Sequence, residues 1–227
     1  MNGSDSLPAF SGRARLFPLP NLVLFPHAMQ PLHIFEPRYR QMTSDALEGD
    51  RLIAMVLPLP GWEKDYAGSP AIHRVACLGQ IVAEHPLEDG RFNLLLRGVQ
   101  RIRIDEEFLA KKLYRTARCT PLQETPIADA EAAESWRRVV RNQAARWFRG
   151  NEQVGEQIHK LLDSDLPLGA LCDIISFALP LDPNFKQTLL EELDVEARWK
   201  MLNDYVEGEQ TLGVALKRKF PPEFSVN

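Results

Sequence analysis

The chain is poor in the residues that most often announce chemistry. It holds three cysteines in 227 residues, Cys77, Cys119 and Cys172, spaced too widely for a Cys-x-x-Cys zinc or redox pair, which fits a reducing compartment. No apolar run, Leu52–Leu57 included, approaches the roughly 20 residues a bilayer-spanning helix needs. The amino terminus, MNGSDSLPAF, lacks a cationic segment followed by an apolar stretch, so no signal peptide is read there and a cytoplasmic location is expected. With 27 basic and 31 acidic side chains and a net charge of -4, there is no basic excess, and the electrostatic footprint of a polyanion-binding protein is missing. None of the 13 glycines builds G-x-x-x-x-G-K-[ST], and H-E-x-x-H, G-x-S-x-G and G-x-G-x-x-G are absent, which removes the common ATPase, zinc hydrolase, serine hydrolase and dinucleotide patterns.

What is present is ordinary globular material, 44% hydrophobic and 26% charged, enough for a core in one domain or two small ones. Its character changes near Pro121. Residues 13–120 read as short strands punctuated by proline and glycine, and residues 121–227 as helices, with Pro121–Pro126 as a linker. Charge divides with them: residues 1–120 carry 15 basic and 13 acidic side chains, residues 121–227 carry 12 and 18. Around LEDGRFNLLLRGVQRIRI, residues 87–104, Asp89-Gly90 supplies the positive φ of a tight turn and predicts two antiparallel strands. Phe92, Leu94 and Leu96 alternate with Arg91, Asn93, Leu95 and Arg97, and Ile102 and Ile104 with Arg101 and Arg103, as one buried face requires.

EPRYRQMTSDALEGD, residues 36–50, predicts one helix among the strands, opened by Pro37 and closed by Gly49. Tyr39, Met42, Ala46 and Leu47 share a face that would cover an open end of the sheet. Residues 58–70 have no periodicity and read as a long exposed loop. Helices are predicted over Ala128–Arg149, with Trp136, Val140, Ala144 and Trp147 on one face, and over Leu168–Leu179, Pro183–Leu193 and Val195–Val206.

Three groups could carry chemistry. His27, His33 and Glu36 could bind a metal or exchange protons, but their spacing fits structural histidines and a Glu36 ion pair with Arg38 or Arg40 at the helix start better. Arg137, Arg138, Arg141, Arg146 and Arg149 interleave with Trp136 and Trp147 and could grip phosphates; on an acidic lobe a solvated arginine face is the plainer account. Lys217-Arg218-Lys219 reads as a charge cluster at a helix end. No catalytic residue, metal ligand or cofactor is assigned.

Three segments carry a family pattern: FPHAMQPLHIFEPRY at residues 25–39, DGRFNLLLRGVQRIRI at 89–104 and KQTLLEELDVEARWKML at 186–202. Together they resemble the amino-terminal domain of Lon protease, in the right order over about Ala14–Val206. The resemblance implies an α+β fold, a β-rich PUA-like lobe followed by a helical bundle. It also implies recognition of protein substrates, performed in that family for an attached ATPase and serine-lysine peptidase that this chain does not contain. His27 departs from the pattern, standing where glycine is common.

The expected function is therefore a non-catalytic polypeptide-binding module. Its partners would be unfolded or flexible polypeptides and a separate ATPase or protease, with neither nucleic acid nor membrane. Candidate contacts are Leu59, Trp62 and Tyr66 in the exposed loop; Trp62 could equally fold back and cap the barrel. Tyr39 and Phe35 are expected in the core. The rival readings are a small enzyme around His27, His33 and Glu36 and an RNA binder on a PUA-like scaffold.

Overall fold

The computed structural model describes residues 10–65, 68–109, 111–147, 156, 158, 160–208 and 225–226. The chain divides into two compact units, residues 1–122 with 224–227, and residues 123–223.

The first unit contains strands β1 (Arg13–Pro18), β2 (Met29–Ile34), β3 (Leu52–Val56), β4 (Val75–Pro86), β5 (Phe92–Glu107), β6 (Arg115–Pro121) and the short β7 (Ser225–Val226), with helix α1 (Pro37–Leu47) after β2. They pair in the order β4-β3-β1-β6-β5-β2-β7, and β5 also pairs with β4, which closes five of the strands into a barrel. Alternation along each strand sends one set of side chains inward: Leu16, Leu52, Ala54, Val56, Leu78, Ile102, Ile104 and Cys119 share one buried cluster. Small and large residues face each other across the ladders, Leu16 opposite Ala54 and Ala76 opposite Ile102, so the narrow interior fills without crowding. β1 and β3 are parallel, and β3 is buried along its whole length, which its unbroken apolar LIAMV requires.

The expected turn at Asp89-Gly90 joins β4 to β5. Gly90 has φ +79°, and its N–H donates to the Leu87 carbonyl at 2.9 Å. Residues 87–104 supply only the second strand of the pair, and that strand runs through Gly98 for 16 residues. Gly98 is where β5 meets the Phe25-Pro26-His27 turn: a Cβ there would stand 1.9 Å from the Phe25 carbonyl oxygen. His27 holds φ +66° and donates its N–H to the Gly98 carbonyl at 2.8 Å. That positive φ explains why glycine suits this position and why histidine carries strain in it.

Helix α1 begins on Pro37 and buries Tyr39, Met42, Thr43 and Ala46. It packs against the outward face of β1, with the Tyr39 ring 4.3 Å from that of Phe17, instead of across an open end of the sheet. Leu47 is only half-buried. Phe35 is also not a core residue: it is 39% exposed. Strand alternation decides this, because Leu32 and Ile34 take the inward positions and Phe35 follows Met29, Pro31 and His33 outward.

The 58–70 segment is less open than its composition implies. Leu59 and His73 donate their N–H groups to Ala71 and Leu57 at 2.8 and 3.0 Å, so a two-stranded neck holds its base. Trp62–Asp65 forms one 3-10 turn above it.

The second unit contains α2 (Ala130–Trp147), α3 (Leu168–Ala178), α4 (Pro183–Glu191) and α5 (Val195–Gly208). Asp182 caps α4 by accepting the Asn184 and Phe185 N–H groups at 2.9 and 3.3 Å, with Pro183 in the first turn. α3 is apolar around most of its circumference and correspondingly buried. Trp199 is wholly buried and donates its indole N–H to the Leu168 carbonyl at 3.1 Å. Val140 and Trp147 of α2 are buried, while Trp136 is half-exposed and donates to Glu196 at 3.1 Å; the Ala144 side chain lies outside the described residues.

The Pro121–Pro126 stretch is not a free tether. Thr125 donates its N–H to Leu193 and accepts from Val195 at 2.8 and 3.1 Å. Glu124 reaches the guanidinium of the wholly buried Arg198 at 2.7 Å, and Asp173, 1% exposed, lies 3.6 Å from the same group. Among the described residues, no helix is long and apolar enough to cross a membrane.

Candidate functional site

The loop joining β5 to β6 is held by Lys112, Tyr114 and the Leu113 backbone N–H. Asp45 of α1 accepts hydrogen bonds from the Lys112 ammonium and the Tyr114 hydroxyl, both at 2.6 Å, and Gln41 accepts the Leu113 N–H at 2.9 Å. These bonds hold the Asp45 carboxyl below the ordinary carboxylate range. Burial, helped by the adjacent carboxylate, pushes the Tyr114 phenol up to about 12. Arg115 forms a two-pronged ion pair with Glu107 at 2.6 and 2.7 Å and donates to the Pro70 carbonyl at 2.7 Å, tying the loop to the 58–70 excursion. The guanidinium of Arg13 lies 4.4 Å over the Phe108 ring.

Held at Lys112, Leu113 and Tyr114, the loop presents its leucines to solvent. Leu109 is 95% and Leu113 64% exposed. They border a cleft of about 240 Å³ whose walls include Pro18 at the end of β1, Pro20 beyond it, Tyr39 of α1, and Pro58, Trp62 and Pro70. This volume suits one or two apolar side chains, and the aromatic and proline walls are rigid, so little freedom is lost when it fills. The cations on its rim, Arg38, Lys112 and Arg115, are each paired with a carboxylate, Glu36, Asp45 and Glu107.

Of the residues singled out from sequence, Trp62 lines this cleft and is half-buried. Leu59 is 36% exposed at the neck of the excursion, and Tyr66 lies outside the described residues. Leu109 and Leu113 were not found by sequence reasoning. The available signal was two leucines set among Glu106-Glu107 and Lys111-Lys112 with no periodicity to bury them.

The other groups turn to separate structural tasks. His33 shares a hydrogen bond of 2.7 Å with Asn93, His27 is exposed on its turn, and Glu36 takes Arg38 as its partner. Among the described residues no group of three or more His, Cys, Asp and Glu could hold a metal ion. Arg137 donates to the Ser164 carbonyl at 3.3 Å and to the Leu166 carbonyl, and Arg141 to Asp163 at 3.0 Å; Arg138 is exposed. The side chains of Arg146 and Arg149, and Lys217–Lys219, lie outside the described residues.

A closed mixed barrel with a helix on its flank, and a separate unit of helices after it, makes this an α+β chain of two units. It belongs to the Lon substrate-binding domain family: the model of the ATP-dependent protease La (LON) substrate-binding domain matches residues 13–208. It is 27% identical over 197 residues to the Lon protease of Trichlorobacter lovleyi, covering 87% of this chain and 24% of that protein. Against the Lon protease of Escherichia coli (strain K12) it is 27% identical over 209 residues, covering 89% and 26%. The chain thus spans about a quarter of the length of these relatives. Two solved structures share the fold. The Lon N-terminal domain protein from Xanthomonas campestris has a TM-score of 0.62 at 22% identity, with 85% of this chain and 98% of that one covered. The N terminal domain of Mycobacterium avium complex Lon protease has 0.66 at 16%, with 87% and 99% covered.

Proposed function

We propose that this chain is a non-catalytic polypeptide-binding module that takes up apolar side chains of unfolded or flexible segments in the cleft between Trp62 and the β5–β6 loop. The observation that carries this reading is the pair of exposed leucines, Leu109 and Leu113, on a loop whose polar groups pin it in place. Exposed apolar groups on a fixed loop form a contact surface ordered before any partner arrives. Family membership supports the choice of ligand, since the matched domain is named for substrate binding. Delivery of bound segments to a separate ATPase or protease completes the proposal.

The test is binding of fluorescently labelled casein, an unfolded protein, to the full chain. Trp62→Ala should weaken it by about 1–3 kcal/mol, the usual effect of losing an aromatic anchor, with the melting temperature nearly unchanged. Leu109→Ser/Leu113→Ser should act in the same direction. Unchanged affinity with a lowered melting temperature would instead make Trp62 a cap on the barrel.

A further inference from the structure

One edge of the barrel unit is already used for strand addition. β2 pairs with β5 on one side, and on the other it carries Ser225–Val226, in parallel, opposite Leu32 and His33. Pro31 lies in β2 just before these positions. Proline has no N–H to donate and is confined in sheets to edges and strand starts, so it limits pairing on one side and leaves the stretch from Leu32 onward to accept a strand. An incoming parallel strand runs toward Phe35, and the residue facing Phe35 shares a sheet face with the one facing His33.

At that end of β2 lies an open recess lined by His33, Phe35, Arg40, Asp89 and Arg91. Its cations are not equally occupied. Arg91 is paired with Asp89, at 2.6 Å from its Nε, and its Nη1 lies 3.4 Å from His33 Nε2. The Arg40 guanidinium has no hydrogen bond or ion pair among the described residues. It occupies the space left by Gly90, where a Cβ would stand 2.1 Å from its Nη2. The recess therefore combines an exposed aromatic ring with a half-buried guanidinium that has donors to spare, a setting that favours a carboxylate.

We propose that the β2 edge from Leu32 to Phe35 accepts an extended segment of another polypeptide as a parallel strand, with an acidic side chain of that segment held by Arg40, and that Ser225–Val226 occupies the same edge until displaced. This deepens the polypeptide-binding reading and rests on it, adding a second contact that reads backbone and charge where the cleft reads apolar bulk. The occupied edge also makes the chain's own tail a competitor, which lowers apparent affinity by the fraction of molecules in which the edge is free.

The probes are two fluorescein-labelled, amidated octapeptides, PPEFSVNE and PPEFSVNQ, which place a carboxylate or its neutral counterpart opposite Phe35. In the full-length Ser225→Pro/Val226→Pro variant, both should bind about threefold tighter than to the native chain, because the tail no longer competes. The glutamate peptide should bind about fivefold tighter than the glutamine one. That preference should vanish in Arg40→Gln, and either peptide should slow amide exchange across residues 32–35. Equal binding by native and tail variants, equal affinity for the two peptides, or unchanged exchange in β2 overturns the proposal. Should the tail variant fail to fold, the glutamate peptide in excess over the native chain gives the same exchange reading. Casein binding that is lost in Trp62→Ala while the octapeptides leave β2 untouched preserves the cleft and removes the strand site. The opposite result removes the cleft and keeps the strand site.

Discussion

The two units solve the burial of polar groups in opposite ways. The barrel closes its ladders on themselves, so its backbone groups find partners within the sheet and its interior cluster is built of aliphatic side chains and a cysteine. Its charged residues stay mostly at the surface, where they fasten loops, as Asp45 and Glu107 do, with Arg101 of β5 the buried exception among the described residues. The helical unit places charge inside: Arg198 is wholly buried beside Asp173 and in reach of Glu124, and Lys186 donates to the Phe177 carbonyl at 2.7 Å. Helices leave carbonyls unmatched at their ends, and here buried cations answer some of them. The difference separates tasks: an apolar, self-satisfied barrel leaves its surface charges to position a site, while the helical unit spends its charges on holding its own helices.

The contrast breaks most visibly at Arg198. Arg198→Met leaves Asp173 buried without its cation and should destabilise the helical unit by about 3–5 kcal/mol, read as early loss of the buried Trp199 fluorescence in urea. Adding Asp173→Leu and Glu124→Leu should recover most of that loss, since an apolar replacement of a buried ion group is often neutral. If the triple variant stays as unstable as the single one, the charges are needed for more than mutual compensation.

The barrel's weak point should be steric instead. Gly98→Ala sets a methyl against the Phe25 carbonyl and should lower stability by about 2–4 kcal/mol, measured by denaturant unfolding. A smaller effect would mean that the Phe25-Pro26-His27 turn yields easily.

A smaller effect of the opposite sign is expected at Lys186, whose ammonium burial pulls down to about 8 from its ordinary 10.5. Between those values the unfolded chain binds the extra proton, so stability should rise with pH through this window, and the penalty for the charged form is complete below it. Lys186→Met should raise stability at pH 7 by about 1 kcal/mol and flatten the rise; an unchanged pH profile would show that the rise belongs to other groups.

The smallest effect belongs to the barrel's surface clamp. Because hydrogen bonds from Lys112 and Tyr114 depress the Asp45 carboxyl, its contribution is present above the ordinary range near about 4 and is lost as pH falls through the depressed value. Asp45→Asn should reduce stability by under about 1 kcal/mol yet speed amide exchange at Leu113 at neutral pH. Exchange that stays as slow in the variant would place the hold on this loop with Gln41 and Arg115.

Much of this was readable before any coordinates. Period-two alternation found the strands, proline at the first turn found α1, helical periodicity found α4, and Asp89-Gly90 found the hairpin, because these signals act over a few residues and the chain obeys them locally. The His27 departure was also visible, though not its cause, a positive φ enforced by contact with Gly98. Phe35 was misplaced because an aromatic residue beside an apolar strand looks like core, and only the phase of β2 reveals that it points outward. The site was half legible: Trp62 stood out among glycine and proline, while Leu109 and Leu113 did not.

Sequence alone determined the class of each half, the absence of the common catalytic motifs and the family pattern, since composition, periodicity and short motifs are properties of neighbours along the chain. Which strands close the barrel, that Arg198 is buried with carboxylates from other segments, and that α1, the 58–70 excursion and the β5–β6 loop converge on one cleft were decided only by tertiary structure. Each depends on residues tens of positions apart, joined by hydrogen bonds and packing whose partners no local pattern specifies.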